Sequence, residues 1–152
     1  MKTTPKTINY KGYSIPTGKT VNDVAERRKI ITNFYKNWFG ENQERKVLNS
    51  HIKDYIYVNM LSLQETRHWA GYSYQSTLTV LNLTHILRNA VRTSKRKDEK
   101  PKPDNKNQKK FERVITMECI VPEIRPYVNI AKLTVGVYKT SQNKIQYCLT
   151  AK

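Results

Sequence analysis

The sequence has few of the features that mark secreted, membrane-spanning or metal-binding proteins. It contains only two cysteines, Cys119 and Cys148, and no cysteine–histidine cluster with zinc-ligand spacing. Both cysteines lie in apolar runs, so we interpret them as small core residues rather than as a disulfide. No apolar run approaches the ~18 residues of a transmembrane helix, and the first residues lack the apolar core of a signal peptide. These absences predict a cytoplasmic protein with no membrane-spanning segment.

Acidic residues and enzyme motifs are also scarce. The chain has 12 Asp and Glu residues against 28 Lys and Arg residues, and the acids are scattered. That scatter argues against a two-metal nuclease, because such an enzyme needs a cluster of carboxylates. The sequence contains no P-loop, no dinucleotide-binding fingerprint, no G-x-S-x-G and no H-E-x-x-H. We therefore expect no cofactor and no metal, and any catalysis would depend on His, Lys, Arg, Ser, Thr or Tyr.

The composition is dominated by a formal net charge of +16. Self-repulsion at that charge destabilises the compact state, so a polyanionic partner is expected. Nucleic acid is the first candidate, because lysines and arginines that bind phosphates release counterions. RNA is preferred over DNA, because its 2′-hydroxyl can attack the neighbouring phosphate without a metal ion. By charge alone a membrane surface comes second and an acidic protein third, and a basic surface that only maintains solubility is the simplest alternative.

The length of 152 residues is typical of a single domain. Residues 1–20 are polar, and we interpret them as an arm with one short strand around residues 8–15. Residues 21–152 then form one α+β domain. Within this domain, residues 95–110 include eight basic residues and no apolar residue, which predicts a flexible basic loop.

Helices are predicted mostly before that loop, and strands after it. Thr20 and Asp23 have the spacing of a capping box, and Gly40 marks the end of the helix that they begin. The other predicted elements are a strand over 54–59, a helix over 63–72 capped by Ser62, a helix over 76–93, and strands over 113–121, 128–138 and 144–150 with a hairpin loop at 141–143. This order predicts N-terminal helices packed on one face of a curved antiparallel sheet that ends in a three-stranded meander.

His68 is the first candidate for chemistry on RNA. Cleavage without a metal needs a base for the 2′-hydroxyl, an acid for the leaving oxygen and cations for the charge on the phosphorane. A histidine can perform either proton transfer near neutral pH. Arg67 and Trp69 flank His68 in the sequence and offer a cation and a stacking surface. A purely structural histidine on a helix is the alternative.

Lys132 is the second candidate. It interrupts an otherwise apolar strand and shares one face of that strand with Thr134, because strand side chains alternate. Tyr147 on the next strand is a further candidate for the same site. The simpler explanation is a solvated outer face, which is common in antiparallel sheets.

Basic residues around the loop at 95–110 are predicted to bind nucleic acid. His85 lies with Arg88 and Arg92 on the polar side of the helix over 76–93. The predicted binding residues are Arg88, Arg92, Lys95, Arg96, Lys97, Lys109 and Lys110. Tyrosines that neighbour positive charge provide stacking surfaces for single-stranded bases, although tyrosine is also common at half-buried positions. These tyrosines are Tyr10, Tyr13, Tyr72 and Tyr74.

The stretch IYVNMLSLQETRHWAGYSYQSTLTVLNLTHILRNA, the basic loop after it, and the segments AKLTVGVYK and YCLTA resemble a domain of phages and mobile elements. Such domains belong to the nuclease-like superfamily of barnase, EndoU, colicin and RelE and are attached to polyvalent phage proteins. The resemblance covers about residues 47–152. It implies a two-layer fold and metal-independent cleavage of RNA, often tRNA, on the open face of the sheet. His68 and Lys132 would match the recurrent histidine and sheet lysine of the family, with Arg67, Thr134 and Tyr147 around them.

Three functions are therefore open from the sequence. The first is an RNA-binding, ribonuclease-like domain of phage or mobile-element origin in the host cytosol. The second is a nucleic-acid-binding or virion-associated protein without catalytic activity. The third is an inhibitor of a host defence complex that docks on an acidic protein, and an immunity protein is a further possible acidic partner. We expect no membrane partner in any of these cases.

Overall fold

The computed structural model describes residues 6–93, 111–121, 129–138 and 144–150 of the chain. Within these ranges the fold is α+β, as the sequence predicts, with four helices, a six-stranded sheet and a two-stranded hairpin. No helix in the same ranges is both long enough and apolar enough to cross a bilayer. The predicted loops at 95–110 and 141–143 lie outside the described residues.

The N-terminal hairpin consists of β1, Thr7–Tyr10, and β2, Tyr13–Pro16, where the sequence suggested one short strand. Lys11 and Gly12 connect the two strands with φ angles of 51° and 85°. Two consecutive positive φ angles are the mark of the tight turns that match the twist of a hairpin. Ile15 is fully buried in the core, so this segment is packed into the folded body.

Helix α1 spans Val21–Glu41 and has the predicted capping box. The Asp23 N–H donates to Thr20 Oγ1 over 3.1 Å, and the Thr20 N–H donates to the Asp23 carboxylate over 3.2 Å. These two bonds satisfy backbone and side-chain groups that would otherwise be unpaired at the helix start. One stripe of α1 is buried, and its residues recur every three or four positions, as expected for a helix packed on one side. They are Arg27, Ile31, Tyr35 and Trp38.

Helix α2 spans Met60–Ala70, so it begins before the predicted start. Ser62 lies inside this helix, and the prediction that Ser62 caps it is wrong. Leu63, Thr66 and Ala70 lie in one stripe of this helix, and all three are buried.

The predicted helix over 76–93 is interrupted. It is replaced by α3, Tyr74–Val80, α4, Leu83–Asn89, and a two-residue strand β5, Val91–Arg92. The break falls at Asn82, whose φ and ψ angles are −105° and 30°. The Asn82 amide donates to Tyr10 Oη over 2.9 Å, and its oxygen accepts from Lys11 Nζ over 2.7 Å. The break therefore depends on tertiary contacts with the hairpin. In the sequence, no glycine or proline lies at this position to indicate it.

The main sheet has the strand order β3-β4-β8-β7-β6-β5. The remaining strands are β3, Lys46–Asn49; β4, Asp54–Tyr57; β6, Phe111–Val121; β7, Asn129–Tyr138; and β8, Lys144–Thr150. The meander of β6, β7 and β8 is confirmed, whereas β3 was not predicted. Neighbouring strands are antiparallel except β4 and β8, which are parallel with Tyr57 opposite Ile145.

The two faces of the sheet differ in burial. The helix-facing residues of β6 and β7 are buried, namely Ile115, Met117, Cys119, Val121, Ala131, Leu133 and Val135. Helices α2 and α3 cover β8 and β7, and α4 covers β3 and β6. On the other face, Ile120 and Lys132 are exposed and Thr134 is half-buried. The side of the sheet away from the helices is therefore open to solvent at these positions.

Candidate nucleic-acid interface

Three aromatic rings are in contact on the outer side of α2 and the turn that follows it. The ring centroids of His68 and Trp69 are 5.1 Å apart, those of His68 and Tyr72 are 5.6 Å apart, and those of Trp69 and Tyr72 are 6.1 Å apart. Trp69 is 59% exposed and Tyr72 is 52% exposed. Contiguous exposed apolar patches are a feature of interaction sites.

Arg28 of α1 holds this cluster in place. Its guanidinium carbon lies 4.7 Å from the centroid of the Tyr72 ring, within the range of a cation–π contact. The same guanidinium donates from Nη2 to the His68 carbonyl over 3.0 Å and from Nε over 3.3 Å. We call Arg28, His68, Trp69 and Tyr72 the aromatic cluster. It combines exposed rings with a fixed positive charge.

The aromatic cluster is exposed because the opposite side of α2 is buried. Leu63, Thr66 and Ala70 face the core, and His68 and Trp69 lie on the other side of the helix. Arg67 points instead towards α1, where its Nη1 donates to Thr32 Oγ1 over 3.0 Å. The buried Arg67 Nε has no hydrogen-bond partner among the described residues. Arg67 therefore joins two helices and is not part of the exposed patch.

Two exposed lysines of α1 lie close in sequence to Arg28. Lys29 is adjacent to Arg28 in sequence, and Lys36 follows seven residues later; both are exposed. Residues seven apart on a helix differ by only ~20° in direction, so the two lysines share one face. Lys29 and Lys36 thus form a line of charge along α1 that starts beside Arg28.

Lys132 and Thr134 lie on the open face of the sheet. Lys132 is exposed between Ala131 and Leu133, which are fully buried against the helices. Its cross-strand neighbour on β6 is Glu118. Tyr147 on β8 is the register partner of Thr134, and its side chain lies outside the described part of the structure.

The structure does not bring the five predicted catalytic residues together. His68 is on the solvent side of α2, whereas Lys132 is on the side of the sheet away from the helices. Helix α2 and the sheet separate the two side chains. Arg67 is also turned away from Lys132, so a single site that contains all five residues is not formed. The periodicity of one helix and one strand could not reveal this arrangement. The position of His68 relative to Lys132 depends on how α2 packs on the sheet.

The predicted nucleic-acid-binding residues have different surroundings. Arg88 at the end of α4 is exposed, and Arg92 in β5 is half-buried. The other five, Lys95, Arg96, Lys97, Lys109 and Lys110, lie outside the described residues.

Among the other predicted stacking tyrosines, Tyr10 and Tyr74 are half-buried beside the hairpin. Burial raises the pKa of Tyr74, and the neighbouring Tyr10 adds to the shift. Lys11, next in sequence to Tyr10, is committed to its bond with Asn82. We therefore assign Tyr10 and Tyr74 to packing of the hairpin rather than to base stacking.

Sequence reasoning found His68, Trp69 and Tyr72 but missed Arg28. The signal for the three rings was local, because they lie within five positions of one another. Arg28 lies on a different helix, α1, and nothing in its sequence neighbourhood indicates an aromatic partner. Among the described residues, no group of three or more His, Cys, Asp or Glu side chains is arranged to hold a metal ion.

Comparisons with protein-family models, with curated proteins and with solved structures found no match to this chain.

Proposed function

We propose that this protein binds single-stranded RNA through the aromatic cluster, with unpaired bases stacked against Trp69 and Tyr72. The observation that carries this proposal is the pair of exposed rings whose neighbour, Arg28, is fixed by bonds to the His68 carbonyl. Phosphates of the same strand would pair with Lys29 and Lys36 on α1. The formal net charge of +16 supports a polyanionic partner.

The chemistry of the aromatic cluster favours single strands over duplexes. Bases in a duplex are stacked on one another, so an exposed side-chain ring can stack only on bases that are unpaired. Each such stack contributes about 1–3 kcal/mol and depends little on sequence. A protein that uses this surface would bind RNA with low sequence preference and with marked salt dependence.

Binding without cleavage is the form of this proposal that we favour. Cleavage needs a base and an acid placed around one phosphate, and the described ring contacts of His68 are with Trp69 and Tyr72. Lys132 and Thr134 are on the other side of the sheet. An origin in a phage or mobile element, and a location in the host cytosol or the virion, remain part of this proposal on the resemblance alone.

The test is fluorescence anisotropy with a labelled single-stranded RNA and the full chain. We expect Trp69→Ala to weaken binding by ten-fold or more, with an almost unchanged melting temperature because the ring is exposed. Tyr55→Ala is the matched control, since Tyr55 is an exposed ring on β4 with Lys46 Nζ 4.5 Å from its centroid. Equal affinity of the Trp69→Ala variant and the unmodified protein would refute stacking at this cluster.

The ribonuclease function is tested separately, by incubation with total tRNA and a single-stranded RNA in EDTA followed by analysis of the RNA ends. We expect intact RNA. Fragments with 2′,3′-cyclic phosphate ends that disappear with His68→Ala would assign catalysis to the aromatic cluster. Fragments that disappear only with Lys132→Ala would assign it to the open sheet face. Intact RNA with no binding at all would favour an acidic protein as the partner.

A further inference from the structure

A recess separate from the aromatic cluster lies at the far end of α1, between the C-terminus of α1, β3 and α4. Its volume is about 440 Å³, and its lining residues are Asn42, Lys46, Val47, Leu48, Ser50, Thr84 and Arg88. Arg28 and Asn42 are 14 positions apart on or just after α1, so the recess lies roughly 20 Å along the helix from the aromatic cluster. We call it the α4 recess.

Arg88 contributes an uncommitted positive charge to the α4 recess. Its carbonyl accepts from the Ser50 N–H over 3.0 Å and from Ser50 Oγ over 3.1 Å. These two bonds fix the backbone of Arg88 against the end of β3. The exposed guanidinium itself has no hydrogen-bond or ion-pair partner within the described ranges. A guanidinium offers a fork of donors that matches the oxygens of a phosphate.

Thr84 contributes a free hydroxyl hydrogen. The Trp38 indole N–H donates to Thr84 Oγ1 over 2.8 Å, so the threonine oxygen acts as an acceptor in this bond. The hydroxyl hydrogen must then point elsewhere, and no acceptor for it occurs among the residues that the structure describes. Because the Thr84 oxygen accepts from the Trp38 indole, the Thr84 O–H can donate its hydrogen to an anionic oxygen.

Lys46 also lines the α4 recess, but its ammonium group is directed to Glu44 and to the ring of Tyr55, whose centroid is 4.5 Å from Nζ. Its ammonium group lies 3.0 Å from the Glu44 carboxylate, and this hydrogen bond is the main cause that raises the pKa of Lys46. Neither Glu44 nor Tyr55 lines the α4 recess, so we do not count the Lys46 ammonium among the groups that hold a ligand there.

We propose that the α4 recess binds a phosphate group, held by the Arg88 guanidinium with the Thr84 hydroxyl, one turn earlier on the same face of α4, as a second donor. The volume accommodates a phosphate together with the sugar that carries it, since small-molecule sites begin at about 300 Å³. The phosphate can belong to a free nucleotide or to the end of an RNA strand. This inference does not depend on stacking at Trp69.

The indole N–H signals of the two tryptophans allow both sites to be followed in one nuclear magnetic resonance spectrum. The protein has only Trp38 and Trp69, and Trp69→Phe assigns the two signals. Trp38 reports on the α4 recess through its bond to Thr84, and Trp69 reports on the aromatic cluster. The probes are inorganic phosphate, adenosine 5′-monophosphate, and a short RNA with either a 5′-phosphate or a 5′-hydroxyl, all at constant ionic strength.

We expect phosphate and the monophosphate to shift the Trp38 signal saturably and to leave the Trp69 signal in place. Arg88→Gln should weaken this binding at least ten-fold, whereas Lys19→Gln, which removes one exposed charge at the other end of α1, should not. A shift caused only by the 5′-phosphorylated RNA would identify the strand end as the source of the phosphate. A Trp38 signal that responds to none of the probes, or responds equally in Arg88→Gln, would overturn the proposal, even if RNA shifts Trp69.

Discussion

Arg27 Nε donates a 2.8 Å hydrogen bond to the carbonyl oxygen of Gly71. The same guanidinium donates to the carbonyls of Pro16, Gly18 and Tyr72. Arg27 is fully buried, and burial lowers the pKa of its guanidinium while Asp23 opposes the shift. One charged side chain therefore joins the hairpin, α1 and the turn after α2, which is the turn that carries Tyr72.

We predict that Arg27→Met destabilises the protein strongly. The substitution would leave buried carbonyls at Gly71 and Pro16 without donors, and hydrogen bonds from a charged group contribute about 1.5–3 kcal/mol each. Because such losses are not additive, we expect the free energy of unfolding to fall by roughly 2–4 kcal/mol. Urea unfolding followed by circular dichroism measures this loss. Arg28→Met is the control: its hydrogen bonds to the His68 carbonyl are exposed and it makes one cation–π contact, so it should cost less, about 1 kcal/mol. Equal losses for the two variants would contradict the role of Arg27.

We predict that Gly71→Ala damages the aromatic cluster. A Cβ atom at position 71 would lie 2.5 Å from Arg28 Cγ and 3.3 Å from the Arg67 carbonyl. Arg28 would have to move away from Tyr72, so RNA affinity should fall and unfolding should become easier by about 1–3 kcal/mol. Gly40→Ala is the matched control, because a Cβ there meets no atom within 4 Å and alanine favours a helix. Anisotropy and urea titrations on both variants provide the check, and unchanged RNA binding by Gly71→Ala would separate Arg28 from the interface.

We predict that Thr20→Ala and Gly18→Ala act through the same capping box. Loss of the Thr20 hydroxyl should cost about 1 kcal/mol. A Cβ at Gly18 would collide with the Asp23 carboxylate, which would displace the other half of the box. The double variant should therefore lose less stability than the two single variants combined. Thermal unfolding of the four proteins measures this, and strict additivity would show that the two residues act independently.

We predict that the lysines of α1 set part of the salt dependence of RNA binding. Each phosphate contact on a single strand adds about 0.7 to the slope of log K against log salt concentration. Lys29→Gln combined with Lys36→Gln should reduce that slope by about 1.4. Lys19→Gln should leave the slope unchanged, because Lys19 precedes α1 and is outside the line of charge. Affinities measured at four or more salt concentrations give the slope for each variant. An unaltered slope in the double variant would exclude contact between phosphates and the face of α1 that carries Lys29 and Lys36.

The predictable parts of the fold are those that depend on neighbours in sequence. The Thr20–Asp23 box and the meander were read correctly, because a cap and alternating strands are local patterns. The break at Asn82 was not, since it depends on Tyr10 and Lys11, which are distant in the chain. Strand β3 was missed for a similar reason. Its four residues include Lys46 and Asn49, and pairing with β4 rather than composition makes them a strand.

The aromatic cluster was likewise predictable only where it depends on residues that are close in sequence. His68, Trp69 and Tyr72 are close in sequence, and the structure places their rings in contact. Whether His68 and Lys132 can share one site depends on which side of α2 meets the sheet, and the sequence does not show which side that is. The burial of Leu63 and Ala70 settles that side and leaves His68 facing solvent.

Strand β8 follows all the other described strands in sequence, yet it lies between β4 and β7 inside the sheet. Before it is in place, the hairpin of β3 and β4 has no partner strand in common with β6 and β7. Until residues 144–150 pair, β4 and β7 each present an open strand edge. Open edges favour aggregation, and pairing between distant segments is slow. Folding intermediates in which β8 is not yet paired are therefore the species that we expect to aggregate.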